Sequence, residues 1–465
     1  MTKIQVILLA AILSFVPGGA MAEPVSNFIQ EEMTRHNVPG VAITVIQEGR
    51  VVRAQGFGQA NIEHNVPVHP DTVFKTGATG TQLTAAVVML LVEDGKIALD
   101  APVTRYLAKA PKKWEKVTIR QLLNHTSGLP ATPNGNFRTD YTNDQLLGII
   151  AAQDLNFPAG SRWRFSYAGY IVLGFVVQEV SGEHWTALMK RRLFGPLGMQ
   201  SARGIDELEI IPNRAAGYEQ RDGNLRNAEW VSSTANSTAD GSLYLSALDY
   251  AAWAAAVSQR RILNSKSWDE LTRPARLNDG KTCAYAPGWF SERAVQIEAR
   301  WHSGSWQGFQ TYALRYPDKD LTVAIFANGE GADVQRLARG VVALVEPSLA
   351  RPVALPLSDS KPAVTTKVRA LLEAIAVGRA NYADFTDFAR LDFTELTAQY
   401  AGMLGEPSSL EDIALFDVRD ACAETAYRYR ARYKQGLVEI RIGFATNGKV
   451  GNLEIVPLND WNEPL

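Results

Sequence analysis

The sequence predicts an α+β fold: one antiparallel sheet with flanking helices and a helical subdomain, followed by a small C-terminal α+β domain. Three observations carry this expectation. Residues 41–58, VAITVIQEGRVVRAQGFG, alternate like a hairpin with its turn at Glu48-Gly49. Residues 289–328 return to strand-rich runs, WFSERAV, ARWHSG, FQTYALRYP and LTVAIFAN, so strands at both ends with helices between suggest one sheet closed by the two ends. Finally, Pro347, Pro352, Pro356 and Pro362 make residues 347–363 a stiff, exposed linker, and a new pattern starts beyond it.

The expected boundaries are a signal peptide over residues 1–22, a first domain over 23–346, the linker over 347–363 and the second domain over 364–465. A length of 465 residues holds two domains, and 46% hydrophobic with 21% charged residues is ordinary globular composition. The net charge of -2 gives no electrostatic reason to expect nucleic acid or an anionic membrane surface as a partner. Lys3 precedes an apolar run over residues 4–16, then Pro17, two glycines and Ala20-Met21-Ala22. That is a secretory signal, so export to the periplasm or beyond is expected, with Glu23 first in the mature chain. No cysteine near the cleavage site offers a lipid attachment point. No run of about 20 apolar residues follows, so no membrane span is expected in the mature chain. Cys283 and Cys422 are the two cysteines. They could pair in an oxidising compartment and tie the two halves together, but cysteines this far apart more often stay separate buried thiols, and that is the expectation.

Taken in order, residues 25–37 form an amphipathic stretch ahead of Val38-Pro39-Gly40. Residues 74–95, FKTGATGTQLTAAVVMLLVEDG, predict a helix beginning near Ala78. Thr81, Thr84, Ala85, Val88, Leu91 and Val92 fall at helical spacing, and Gly95 can supply the left-handed stop. Apolar on nearly every side, it is a core helix around which the domain packs. A helix near residues 119–124 ends in His125-Thr126-Ser127-Gly128. Residues 165–182 open with aromatic residues and become an apolar helix. Residues 193–199 read as a Gly/Pro punctuated turn, residues 242–257 as another apolar helix with Asp249 in its first turns, and residues 333–345 as the last helix of the domain. Beyond the linker, residues 365–382 and 393–404 are helical patterns. Tyr427, Tyr429, Ala431 and Tyr433 then alternate with Arg428, Arg430 and Arg432, ahead of strands at residues 438–444 and 450–456. The arginine stripe reads as the solvated face of that sheet, with an anionic binding surface as the alternative.

Several ordered motifs carry a family resemblance: Val38-Pro39-Gly40, Phe74 with Gly77, residues 122–129 (LLNHTSGL), Gly169-Tyr170 with Leu173-Gly174, Pro196-Leu197-Gly198-Met199, Gly288 to Phe290, and His302-Ser303-Gly304. Over residues 38–345 the chain resembles the serine β-lactamase-like superfamily of class C β-lactamases, DD-peptidases and related esterases. The resemblance implies a β-lactamase/transpeptidase-like fold and acyl transfer. A serine attacks a carbonyl, a lysine one helical turn later accepts its proton, a Y-x-N triplet relays protons and holds substrate, and a K-T-G or H-[ST]-G triplet lines the opposite side of the cleft. The spacing matters because positions i and i+3 share a helix face.

Aligned on Phe74, Gly77, Thr84 and Ala85, the serine position is Ala78 and the lysine position is Thr81. Aligned on Gly169-Tyr170, the Y-x-N triplet is Phe165-Ser166-Tyr167. Nucleophile, base, phenol and amide are all replaced, and His302-Ser303-Gly304 stands. Thr79 points about 100° away from Ala78 on a helix, and neither it nor Thr81 has an amine partner at the right spacing. Lys75 would have to fold back into the cleft, and the literal S-x-x-K at Ser358 to Lys361 lies in the linker. His125 reads as a turn residue with a structural hydrogen bond. His302 is therefore the catalytic candidate, and Ala78, Thr81, Phe165, Tyr167, Ser303 and Gly304 are the substrate-binding candidates. The oxyanion donors would be the backbone N–H groups at residue 78 and just after Gly304. Tyr167 is larger than asparagine, so a narrower cleft is expected.

No metal-ligand spacing and no phosphate-binding glycine loop appears, so no metal or cofactor is expected. The leading functional expectation is an exported pseudoenzyme that binds or scaffolds. Its partners would be a peptidoglycan peptide, an ester or amide small molecule, or an envelope protein. Residual esterase or peptidase activity through His302 is the alternative, and a C-terminal interaction module is the third reading.

Overall fold

Glu48 and Gly49 take φ values of 51° and 71°, so the hairpin pattern becomes β1 (Gly40–Gln47) and β2 (Arg50–Asn61) joined by a two-residue turn. This computed structural model describes residues 19–235, 237–294, 297–386, 389, 393–422, 424–458 and 461. The signal-peptide expectation lies almost entirely outside them. Six further strands complete the main sheet: β3 (Val66–Pro67), β4 (Tyr285–Ala286), β5 (Trp289–Ala294), β6 (Ile297–Trp306), β7 (Phe309–Tyr316) and β8 (Leu321–Ala327). Their order is β3-β2-β1-β8-β7-β6-β5-β4, so the N-terminal hairpin pairs directly with the last strand, Val41 opposite Ala327.

Alternation along β1 explains the layers. Val41, Ile43 and Val45 face a core built with α1 (Gly19–Arg35) and the helix at Val334–Val345. Ala42 and Ile46 face the larger core around α2 (Thr81–Glu93), α3 (Ile119–Leu123), α4 (Tyr167–Ser181) and α5 (Ala247–Ser258). The helix Val334–Val345 is α6. From Thr81 to Leu91 every residue of α2 is buried, as its apolar run predicts. The helix begins at Thr81 rather than Ala78, because Gly77–Gly80 forms a separate 3₁₀ turn.

Residues 242–257 differ from expectation. Leu243–Ser246 is a strand paired with Val73–Lys75, and α5 starts after it. Pairing with that distant segment makes it a strand, and a capping box sets where α5 begins: the Ser246 hydroxyl accepts from the Asp249 N–H, and the Asp249 carboxylate accepts from the Ser246 N–H. Residues 193–199 are more helical than a turn, with a π-turn over Lys190–Phe194 running into Gly195–Leu197. Among the described residues, no helix is long and apolar enough to cross a membrane.

The C-terminal domain places α7 (Pro362–Ala376) and α8 (Phe393–Leu404) on a four-stranded antiparallel sheet, β9 (Leu410–Ala421), β10 (Glu424–Tyr433), β11 (Gly436–Ala445) and β12 (Val450–Leu458), paired in that order. Val368, Leu372 and Ile375 pack on Tyr429, Ile440 and Ile442. Two expectations are corrected here. The arginine stripe is not uniformly solvated: Arg430 is 0% exposed and Arg428 half-buried, while Arg432 is exposed. Arg430 lies 4.6 Å over the Phe416 ring, and its Nη1 donates to the Trp461 carbonyl at 2.6 Å. The two cysteines are not separate thiols either. They form a disulfide between the segment leading into β4 and the β9–β10 turn, with Cα atoms 4.5 Å apart, because the fold returns the chain to that point after 139 residues.

Candidate functional site

The short strand Val73–Lys75 and the edge of β6 set the position of Ala78. Gly77 has φ 51°, and a Cβ on it would lie 2.5 Å from Ser305 N. A Cβ on Gly304 would lie 2.0 Å from the Thr76 carbonyl. Both residues must be glycine for the 3₁₀ turn to press against β6. Thr311 Oγ1 donates to the Thr76 carbonyl at 2.6 Å and meets Thr79 Oγ1 at 2.8 Å, pinning the turn from β7. Thr79 therefore points into the sheet and away from Ala78.

The sequence-derived candidates converge. Ala78 is 5% exposed and Thr81 0% exposed. Thr81 Oγ1 donates to the Ala78 carbonyl at 2.7 Å and lies 3.5 Å from His302 Nε2. Phe165 packs at a tilt against His302 with ring centroids 5.8 Å apart and meets the Tyr167 ring edge-on at 5.0 Å. Ser303 is exposed, and Gly304 is buried beneath the 3₁₀ turn. Lys75 does not fold into the cleft; its ammonium pairs with Glu207 and Gln307.

The hydrogen bonds around His302 run in one direction. The Ser166 N–H donates to His125 Nδ1 at 3.1 Å, so a neutral His125 carries its proton on Nε2 and donates to Tyr285 Oη at 3.0 Å. At the other end, His302 Nδ1 lies 2.7 Å from the Ser303 carbonyl, which can only accept, so Nδ1 carries the proton and Nε2 the lone pair. The Tyr285 hydroxyl then donates to His302 Nε2 at 3.3 Å. Two backbone groups thus fix the tautomers of two histidines through one phenol.

Burial keeps all three groups neutral. It holds the His302 imidazole down at about 4, partly offset by the Ser303 carbonyl, and it holds His125 well below its ordinary value. Burial also pushes the Tyr285 phenol above its usual range. His302 is 1% exposed. Its one lone pair is engaged by Tyr285, so as a base it has neither a free site nor a water-facing edge.

Tyr285 and Asp240 are the residues that sequence reasoning missed; the structural hydrogen bonding expected of His125 is present, from the Ser166 N–H and to Tyr285. Asp240 precedes Gly241, where a Cβ would lie 2.9 Å from Ala78 Cα. Burial raises its carboxyl to about 6, against the hydrogen bond that Thr238 Oγ1 donates at 2.7 Å. Burial raises the Tyr167 phenol as well, with the Asp240 charge adding. A signal for Tyr285 existed in Gly288-Trp289-Phe290, whose short strand pairs with the one carrying it, Phe290 opposite Tyr285. For Asp240 no spacing pointed there. Among the described residues, no group of three or more His, Cys, Asp or Glu side chains is placed to hold a metal.

A helix that follows a turn pressed against the edge of an antiparallel sheet, with His-Ser-Gly on the adjoining strand, defines the serine acyl-transfer fold of β-lactamases and transpeptidases. The chain belongs to the Beta-lactamase family, whose family model matches residues 25–346. It is similar to penicillin-binding protein 4* of Bacillus subtilis (strain 168), 26% identical over 315 residues covering 64% of this chain and 69% of that protein. In structure it is similar to the octameric penicillin-binding protein homologue from Pyrococcus abyssi, with TM-score 0.61, 22% identity, and coverage of 94% of this chain and 96% of that one. It is also similar to the D-amino acid amidase from Ochrobactrum anthropi SV3, with TM-score 0.62, 21% identity, and coverage of 70% and 99%. The structural likenesses are likenesses of fold, and the first of them spans both domains.

Proposed function

We propose that the chain is an exported member of its family that binds through this cleft without acylating itself. The observation that carries the reading is the pair Ala78 and Thr81. A methyl stands at the nucleophile position, and at the proton-acceptor position stands a hydroxyl whose hydrogen goes to the Ala78 carbonyl. Loss of a nucleophile typically leaves about 10³- to 10⁴-fold enhancement over water from oxyanion donors and binding alone. The ligand in this reading is a peptidoglycan peptide, an ester or amide small molecule, or an envelope protein. The similarity to a penicillin-binding protein and to a D-amino acid amidase supports the peptide and amide classes. The N-terminal apolar run and the Cys283–Cys422 disulfide support an oxidising, exported location.

The alternative gives His302 the role of general base in a slow esterase. The engaged lone pair and the burial of His302 weigh against it. Hydrolysis of p-nitrophenyl acetate decides between them. The proposal expects the same trace rate in wild type and His302→Ala; a rate that disappears in His302→Ala would overturn it in favour of the esterase.

A further inference from the structure

A cavity of about 1340 Å³ lies between the two domains, and the acyl-transfer fold makes no use of its charges. Nine arginines and six carboxylates line it, in a chain whose net charge is -2. The arginine excess comes from the first domain's side of the lining, while the C-terminal sheet gathers several arginines around one buried carboxylate. From the first domain, the single carboxylate of Glu292 on β5 serves both Arg339 of α6, at 3.0 Å, and Arg351. Arg339 Nε and Nη1, Arg351 Nε and the Tyr312 hydroxyl are buried and make no hydrogen bond among the described residues. From the C-terminal sheet, Glu439 is shared by Arg441 at 2.9 Å, Arg430 at 3.4 Å and Arg428 at 3.8 Å, and Arg441 also pairs with Glu454 at 3.1 Å.

Buried donors without acceptors are uncommon, and each asks for a physical reason. Clustered guanidinium groups removed from water are costly unless anions compensate them. Burial, and after it the Arg339 charge, lowers the Arg351 guanidinium from its ordinary value; burial chiefly does the same to Arg428, with Arg441 adding. The fork of each guanidinium matches two oxygens of one anion.

We propose that this interdomain cavity is a binding site for a small molecule carrying two or more negative charges on oxygen, a phosphate ester or a polycarboxylate, held between the Arg339–Arg351 pair and Arg428, Arg430 and Arg441. Arg428 and Arg430 of β10, with Arg441 of β11, are then the C-terminal domain's half of the site. Phe165 and Tyr285 line the same cavity, so the ligand lies behind the wall of the acyl-transfer position.

Calorimetric titration of the full chain with pyrophosphate, and separately with citrate, tests this at an ionic strength held constant with sodium chloride. The expected result is saturable one-to-one binding of at least one of them, about tenfold or more weaker in Arg428→Gln because one charge-assisted contact is lost. Arg432→Gln, an exposed change on the same strand, leaves the affinity unchanged. Pyrophosphate alone binding assigns a phosphate ester, and citrate alone a polycarboxylate. Circular dichroism verifies each variant's fold, and Arg351→Gln serves the same purpose should Arg428→Gln not fold. No saturable binding of either anion, or equal affinity in wild type and the arginine variant, overturns the proposal.

Discussion

Tyr285 Oη lies 3.3 Å from His302 Nε2, and it donates there because His302 spends its own proton on the Ser303 carbonyl. The same oxygen accepts from His125 Nε2 at 3.0 Å. One phenol from β4 therefore satisfies two buried imidazoles, and it does so beside Thr81, whose hydroxyl lies 3.5 Å from the same His302 nitrogen.

Tyr285→Phe should leave a buried donor on His125 and a buried acceptor on His302, at a cost of about 1–3 kcal/mol. Urea unfolding measures the loss. Nitrogen NMR of the wild-type imidazoles should show His302 protonated at Nδ1 and His125 at Nε2; the opposite tautomer at either residue contradicts the assigned directions.

Acid should destabilise the fold through His302. Its folded value of about 4 lies below the ordinary 6.5, so the unfolded chain binds the proton more readily. The penalty begins as pH falls below 6.5 and is complete near 4, where it reaches roughly 3 kcal/mol. Asp240 acts in the opposite sense. Its carboxyl is raised to about 6, so the stability it contributes at low pH is lost as pH rises through 6. Comparing wild type with His302→Gln isolates the histidine, and the variant should lose less stability between pH 7 and pH 4.5. Equal losses would contradict the burial argument.

Reduction should loosen the molecule. The Cys283–Cys422 disulfide closes a separation of 139 residues, for which chain entropy allows up to about 5 kcal/mol. Thermal unfolding with and without dithiothreitol should show a lower Tm on reduction, and Cys283→Ser should remove the difference.

Ala78→Ser alone should not restore acyl transfer. The restored hydroxyl would have Thr81 beside it, whose hydrogen already goes to the residue 78 carbonyl and which offers no amine. Adding Thr81→Lys, Phe165→Tyr and Tyr167→Asn supplies the base, the phenol and the amide. Labelling by a fluorescent penicillin should be absent from the single variant and present in the quadruple one. Labelling of the single variant would show that another group accepts the proton.

The fold was largely legible because its signals are local. Glu48-Gly49 demands positive φ at a hairpin turn, and the run from Thr81 to Leu91 has no polar face to expose. That Ala78, Thr81 and His302 come together in the fold was legible because each is read against motif neighbours a few residues away. What stayed hidden depends on distant pairing. Leu243–Ser246 is apolar enough for a helix, and only Val73–Lys75 beside it makes it a strand. Tyr285 reaches His125 and His302 across 160 and 17 residues, and no spacing rule connects those three. The Arg428, Arg430 and Arg432 alternation shows a strand but not what covers one side of it, so the burial of Arg430 could not be anticipated.

No residue of this cleft is expected to form an acyl or phosphonyl bond. Intact-protein mass spectrometry of the wild-type chain, after incubation with excess fluorophosphonate and separately with benzylpenicillin, measures it directly. The expected result is an unshifted mass with both reagents. A stoichiometric adduct at a residue of the cleft would contradict it.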